Sequence, residues 1–561
     1  MDRKYMDEFI HLAMHLETYT LGWILVLGFT IVIFSIIIIT CICKCLCKTQ
    51  DRKTKSVNRS SLNQNSENIG SNCNIWRFRI FETGSNDNDV VEFFRTKKIN
   101  FDYSLWEESC EVIDKVMKHV VRQMKMTASG DFPGLVLEDN LIKQGSSREG
   151  LKVCDPFEFD YILPFRIEGL TLTKTAIYDC CMNKVPGLFK YKIQNSCSNI
   201  PSWMENHDVI GHSEDGYGSG RFINTRNFQR KLFTSLVDKS ISGLINKNIH
   251  LPNSKYNRYS INRSVDPPTL KITIRVEKSF GLRGLNMSFQ LESRPLSEDN
   301  ITIDVDLVPA MVLANDFIPD PYTVNNFHQS PENYPKGWCR KLTRIFSSSE
   351  VSDTTEQGAR MMHCIRYGVM KWVNKKNPAI GDDEKDMLWR ESTCGYEKHI
   401  FDIARRSQSQ RYVMTACRLL KGALSKFPSD STEQLGSVLK SYHLKHITLY
   451  CILFLTIPRE ENKLSSVREA LGYFVNYLEL SLNVKNLPHF FYGNPWLGLM
   501  LPGSPFEREK VKYNLLATTD PETLRQARCS LSRFLQTLEG LYYKDWLLDN
   551  DKINRFRDLL K

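Results

Sequence analysis

Apolar and polar positions repeat along the chain with two different periods, and each change of period marks an expected change of architecture. Leu21 to Cys43 has no period at all, being uncharged and almost wholly apolar. A helix needs about 20 such residues to cross a bilayer core, so the stretch is read as a membrane span. It starts late, runs long and is not followed by a small-residue cleavage site, which sets it apart from a cleaved leader. From Lys48 to Asp89 serine, asparagine and lysine dominate outside Asn74–Phe81, the composition of a tether. Trp106, Val112, Ile113, Val116, Met117, Val120, Val121 and Met124 then recur at helical spacing. Strands are expected at Phe157–Phe165, Thr269–Glu277, Met287–Arg294 and Ile301–Leu313.

Past Pro319 the strand signal fades. Thr415–Phe427, Tyr442–Ile457 and Val467–Leu482 read as helices packed on one another. Ile447–Ile457 is strongly apolar but too short to span a bilayer, and Pro458 stops it, so it is a core helix. Asp520-Pro521-Glu522 carries the cap, first-position proline and acid of a helix start. Leu524, Ala527, Leu531, Phe534, Leu535 and Leu538 follow it with helical periodicity. The expected fold is α+β, a mixed sheet with helices followed by an all-helical lobe, behind one N-terminal transmembrane helix. The expected divisions are residues 1–20 outside the cytosol, 21–43 in the membrane, a tether over 44–89, a sheet-bearing core over 90–319, a helical lobe over 320–505 and a helical extension over 506–561.

Charge sets the expected orientation. Lys44, Lys48, Arg52, Lys53, Lys55 and Arg59 follow the span, with Asp51 as the only acid among them. Before it, Arg3 and Lys4 sit among Asp2, Asp7, Glu8 and Glu17. That bias predicts a single-pass membrane protein with its N-terminus outside and its C-terminal domain cytosolic. The 16 cysteines are scattered, without a CxxC pair or a dense secreted framework, which fits free thiols in a reducing compartment. Cys41, Cys43, Cys45 and Cys47 straddle the inner edge of the span. They read equally as palmitoylation sites and as small residues finishing the helix. A net charge of +10 permits an anionic partner without choosing nucleic acid or membrane. Much of it is concentrated between Arg221 and Arg263, where nine Lys and Arg face one acid, Asp238. This run, with Arg226, Arg230, Lys231 and Lys239 in or beside an expected amphipathic helix at Phe228–Leu244, reads equally as a solvated basic face and as a nucleic-acid surface.

The candidate chemistry gathers around Gly145-Ser146 and the strand that follows. Side chains alternate faces in a strand, so Glu158 and Asp160 project from the same side and can hold a hard cation such as Mg²⁺. A glycine-serine turn offers backbone N–H groups and a hydroxyl to phosphate. The combination predicts a clamp for a metal-bound triphosphate. Farther along, Asp304 and Asp306 share one strand face in the same way.

The Gly-Ser turn followed by EGLKVCDPFEFDYILP resembles the signature of the Mab-21 family of nucleotidyltransferases, which includes cyclic GMP-AMP synthase and the cGAS-like receptors. The resemblance covers roughly residues 100 to 500 and includes VDLVPA at Val305–Ala310 and SYHLK at Ser441–Lys445. It implies a nucleotidyltransferase-fold sheet. It aligns Asp306 with a third catalytic and metal-binding carboxylate beside Glu158 and Asp160, Asp304 being the alternative. Gly145, Ser146, Arg344, Lys371, Ser441 and Tyr442 would bind nucleotide, with Ser441 touching phosphate and Tyr442 stacking on a base; Arg366 is a further contact of this kind. The implied cofactor is Mg²⁺ or Mn²⁺, and the implied substrates are ATP and GTP, joined into a cyclic dinucleotide when a ligand such as duplex RNA binds. In cyclic GMP-AMP synthase a basic surface in this part of the domain grips duplex nucleic acid, which would give that role to Arg226, Arg230, Lys231 and Lys239. The alternative is a non-catalytic membrane scaffold resembling the inositol trisphosphate receptor-interacting proteins. The three acids favour the enzyme and the anchor favours the scaffold.

Overall fold

The computed structural model describes residues 88–178, 184–194, 200–215, 218–245, 256–266, 269–278, 300–312, 367–371, 384–405, 408–428, 433–455, 464–501, 506, 509, 511–538, 540–542 and 548–560. They form an α+β structure with a mixed sheet of twelve strands. In chain order these are β1 (Leu135–Leu137), β2 (Ile142–Gln144), β3 (Glu158–Ile167), β4 (Leu172–Tyr178), β5 (Lys184–Ile193), β6 (Ile210–Asp215), β7 (Gly218–Ile223), β8 (Tyr256–Asp266), β9 (Thr269–Lys278), β10 (Asn300–Val312), β11 (Tyr367–Met370) and β12 (Trp389–Ser392). The spatial order is β1-β3-β10-β11-β12-β5-β7-β6, with β2 on β3, β4 on β5, β9 on β10 and β8 on β9.

The strand β3 forms where the sequence alternates. Phe159, Tyr161, Leu163 and Phe165 are buried, while Glu158 is exposed and Asp160 half-buried on the other face. Tyr161 is satisfied in the interior by donating its hydroxyl to Asp114 at 2.8 Å. Asp114 belongs to the helix Tyr103–Asp131, whose Val112, Ile113, Val116, Met117, Val120 and Met124 are all buried. The helix Thr234–Ile245 packs against that long helix and is entered through a π-helical turn, Phe228–Phe233. The amphipathic segment expected at Phe228–Leu244 is therefore helical throughout with a widened first part.

The helical region has one apolar core fed from distant parts of the chain. It takes Val90, Phe93 and Phe94 from the helix Asn88–Thr96, and Leu151 and Val153 from the link before β3. It also takes the buried faces of Gln408–Lys426, Ser441–Leu455 and Val467–Val484. Helices Pro521–Gln536 and Asn550–Leu560, both in the expected C-terminal extension, pack into the same core. The first begins as its sequence demands: the Asp520 carboxylate caps it by accepting from the Thr523 N–H at 2.8 Å, with Pro521 following.

Two expectations change. Strands β11 and β12 come from the part expected to be helical, and both lie within the sheet, β11 against β10 and β12 against β5. The expected span Leu21–Cys43, the tether over 44–87, the strand Met287–Arg294, Arg344 and Arg366 lie outside the described residues. Among the described residues no helix is long and apolar enough to cross a membrane. The most apolar, Ser441–Leu455, has 15 residues and is enclosed in the lobe. At about 1.5 Å rise per residue it falls short of a hydrocarbon core of about 30 Å. The transmembrane helix in the expected fold class, and the single-pass location drawn from it, are thus corrected and not carried forward.

Phe94 is fully buried in the lobe's core. Phe94→Ala should lower the unfolding free energy by roughly 3–5 kcal/mol, measured by chemical denaturation of the full chain. A change within error would detach the helix Asn88–Thr96 from that core.

Candidate functional site

The site is set by strand register. β3 runs parallel to β10, and their Cα partners include Glu158 with Asp304 and Asp160 with Asp306. Side chains two apart on a strand share a face, and so do partners across a parallel pair. Four carboxylates therefore occupy one face of two adjacent strands, while Ile303, Val305 and Leu307 are buried on the other.

Gly145 closes against them. Its φ is +78°, and a Cβ built there would sit 1.8 Å from Asp160 Oδ2. Only a residue without a side chain lets the backbone come this near. Gly145 then accepts from the Arg148 and Glu149 N–H groups, each at 3.0 Å, and Ser146 opens the short helix Ser146–Glu149.

The four acids differ in their surroundings. Burial, followed by repulsion from Asp306 and Glu158, lifts Asp160 from an ordinary 3.8 to about 6. For Glu158 burial also works upward, but Lys152, Lys421 and Lys271 outweigh it and hold the carboxyl below its usual range. Lys152 Nζ lies 3.0 Å from the Glu158 carboxylate and donates to its backbone oxygen at 2.9 Å. Asp304 accepts from Thr273 Oγ1 at 2.8 Å and pairs with Lys271 at 3.3 Å. Asp304 is thus engaged by the neighbouring strand β9, and Asp306 is the partner set opposite Asp160.

Among the described residues no group of three or more His, Cys, Asp or Glu is gathered tightly enough to hold a metal ion as it stands. The chemistry of this face nevertheless fits a hard cation. Its donors are carboxylate oxygens, and both the burial and the repulsion that raise Asp160 are offset by a nearby positive charge. Glu158, Asp160 and Asp306 are the residues that would hold Mg²⁺ or Mn²⁺.

Beside these acids opens a cleft of ≈ 960 Å³, lined by Gly145 and Asp160 and also by Lys371, Arg390, Tyr442 and His489. Burial, and then the nearby Arg390, push the Lys371 ammonium below its usual lysine range. The Arg390 guanidinium lies 6.0 Å from the centre of the Tyr442 ring, within cation–π range. Two cations facing one cavity suit an anionic ligand, and an aromatic face under a guanidinium suits a planar one. Ser441 is exposed at the start of the helix Ser441–Leu455.

Sequence reasoning missed a buried ion triad in the same cleft wall. Lys445 Nζ is 2.8 Å from Glu149 and 2.8 Å from Glu397, whose residues are 1% and 3% exposed. Burial opposes the charge on Lys445, but the two carboxylates outweigh it and hold its pKa well above the usual range. Glu149 goes up through burial, only partly offset by Lys445. The three residues come from separate helices, so nothing in their spacing announces the contact. Arg390 was also missed; its signal is the strand alternation of Trp389, which is buried, with Arg390, which is exposed.

The basic run is largely matched inside the fold. Arg226 pairs with Asp386 at 3.0 Å, Lys239 with Asp131 at 2.6 Å and Lys231 with Asp208. Arg230 is exposed. The partners come from other segments, which is why the run looked unopposed in sequence.

Two stability changes of opposite sign follow. Lys445→Met strands two buried carboxylates and should cost roughly 3–5 kcal/mol in denaturant unfolding. Adding Glu149→Gln and Glu397→Gln should recover most of it. Because the folded pKa of Asp160 is raised, the stability tied to its protonated form is complete below the ordinary value and is lost as pH rises through about 6. Asp160→Asn should therefore stabilise the metal-free chain at pH 7.5, on the order of 1–3 kcal/mol, and by less at pH 5, as read from melts with chelator. In comparison with known proteins, the chain matches no family model and no curated sequence.

Proposed function

We propose that the chain is a nucleotidyltransferase that takes ATP and GTP with Mg²⁺ or Mn²⁺ and makes a cyclic dinucleotide. The observation that carries this reading is the parallel register that sets Asp160 opposite Asp306, with Glu158 on the same face and the Gly145 turn against Asp160. The resemblance of the Gly-Ser turn, the Glu-x-Asp strand and SYHLK to Mab-21 nucleotidyltransferases supports it from the sequence side.

In the proposed reaction a ribose hydroxyl attacks the α-phosphorus of a nucleoside triphosphate. The new P–O bond forms as the bond to pyrophosphate breaks, with the hydroxyl proton passing to solvent water, and a second such transfer closes the ring. A bound divalent ion would supply positive charge to the attacking and leaving oxygens. The work of the chain is positioning and charge placement, as in other phosphoryl transfers, with no protein nucleophile. Glu158, Asp160 and Asp306 hold the cation. Lys371 meets anionic oxygens of the ligand. Arg390 and Tyr442 line the part of the cleft where a base would lie, one offering a guanidinium and the other an aromatic ring. Arg226, Arg230, Lys231 and Lys239 remain the candidates for an activating duplex RNA, since exposed ion pairs such as Lys239–Asp131 are weak enough to exchange for phosphate.

The test incubates the full chain with ATP, GTP and Mg²⁺ or Mn²⁺, alone or with duplex RNA or duplex DNA, and resolves the products. Asp160→Ala and Asp306→Ala should each lower turnover by about 10²–10³ or more. Undiminished turnover in both variants would remove the assigned site. No product, together with no metal-dependent triphosphate binding, would make the chain a non-catalytic binding protein. Mn²⁺ affinity of the native chain should fall as pH is lowered through about 6, because protons then compete for Asp160. Calorimetry at pH 5 and 7.5 checks the direction.

A further inference from the structure

Tyr442 is held in the cleft by one side-chain hydrogen bond, between its hydroxyl and His489 Nε2 at 2.7 Å. The direction of that bond follows from the other side of the ring. His489 Nδ1 accepts from the Phe491 N–H at 3.1 Å, so it carries no proton. Burial, with His446 and Arg390 nearby, keeps the imidazole neutral by pushing its pKa well below the ordinary range. A neutral imidazole has a single N–H, and here it is left on Nε2. His489 therefore donates, the Tyr442 oxygen accepts, and the phenolic hydrogen is turned away from the histidine.

The histidine is itself fixed on several sides. Its backbone N–H donates to the Tyr513 oxygen at 2.7 Å, and its backbone oxygen accepts from the Tyr450 hydroxyl at 3.2 Å. Its ring packs 4.2 Å from His446 and 4.4 Å from Tyr492, centre to centre. His446 makes the equivalent backbone contact, its Nδ1 accepting from the Phe490 N–H at 2.9 Å. Yet His446 Nε2 finds no hydrogen-bond partner among the described residues. Both histidines reach the cleft-lining tyrosine: the His446 ring packs edge-on 4.5 Å from the Tyr442 ring, centre to centre, and His489 is the one that hydrogen-bonds its hydroxyl.

We propose that His489 is a positioning residue for nucleotide binding: its Nε2–H fixes the Tyr442 ring beside Arg390 and leaves the phenolic hydrogen free to donate to the ligand. The role rests on the nucleotide site proposed above. It acts on the binding platform and not on the reacting phosphate, so its loss raises KM and spares kcat.

Two conservative variants separate the functions of the ring. His489→Gln can keep a donor at the reach of Nε2, whereas His489→Asn keeps an acceptor at the position of Nδ1 and loses the donor. With the full chain and Mn²⁺, non-hydrolysable ATP and GTP analogues should bind His489→Asn about five- to tenfold more weakly than the native chain. His489→Gln should stay within about twofold. In a Tyr442→Phe background the difference between the two should vanish, since the shared partner is gone. Ring ¹⁵N shifts of the unliganded native chain should show His489 protonated on Nε2. Equal affinities for the Asn and Gln variants, a difference that persists in Tyr442→Phe, or a proton on Nδ1 would each overturn the proposal. If the native chain binds neither analogue, the nucleotide site falls and this role falls with it. The ring shifts would still report the histidine–tyrosine bond independently.

Discussion

The parallel pairing of β3 with β10 is the constraint on which the site depends. It sets Asp160 opposite Asp306 and Glu158 opposite Asp304. A slip of one residue would send one strand's carboxylates to the apolar face, where Phe159, Tyr161, Val305 and Leu307 are buried. The same apolar residues that cost most to expose therefore fix the register that crowds the acids. Hydrophobic burial holds like charges together against their repulsion, and the raised pKa of Asp160 reflects its own burial first and that repulsion second.

The surrounding charges are graded. Glu158 and Asp304 each have a close lysine, Lys152 and Lys271. Lys445 sits behind the Gly145 turn, tied to Glu149 at the end of the short helix that the turn begins. Glu149 donates its backbone N–H to Gly145 at 3.0 Å, which joins the buried triad to the glycine turn. The helical lobe thereby reaches the turn before the acid-bearing strand through a charge contact as well as through the packing of Leu151 and Val153.

The parts of this structure written in short-range pattern were legible in the sequence. The alternation around Glu158 and Asp160, the helical spacing from Trp106 to Met124 and the cap at Asp520 each describe contacts within a few residues. The parts built from distant partners were not. Glu149, Glu397 and Lys445 meet across 296 positions of chain, and no local period marks any of them. Strand β11 is four residues long and buried throughout, so it shows no alternation. The basic run looked unopposed because Asp131, Asp208 and Asp386 lie outside it. The membrane reading came from a long apolar run and the Lys and Arg bias after it, both of which lie outside the described residues. Ser441–Leu455 shows how a strongly apolar helix is accounted for by a protein core.

The sheet order has a consequence for how the chain is made. Among the described residues, the acid-bearing strands β3 and β10 connect to the group of β4, β5, β6 and β7 only through β11 and β12. During synthesis from the N-terminus, Asp160 leaves the ribosome long before Asp306, and the sheet cannot close until Ser392 has followed. The lobe's core needs Leu560 as well. The nascent chain thus carries its first two acids while residues 161–303 are made, before the strand that sets Asp304 and Asp306 opposite them, and the cleft wall bearing Lys371 and Arg390 follows only after the acidic face has its strands.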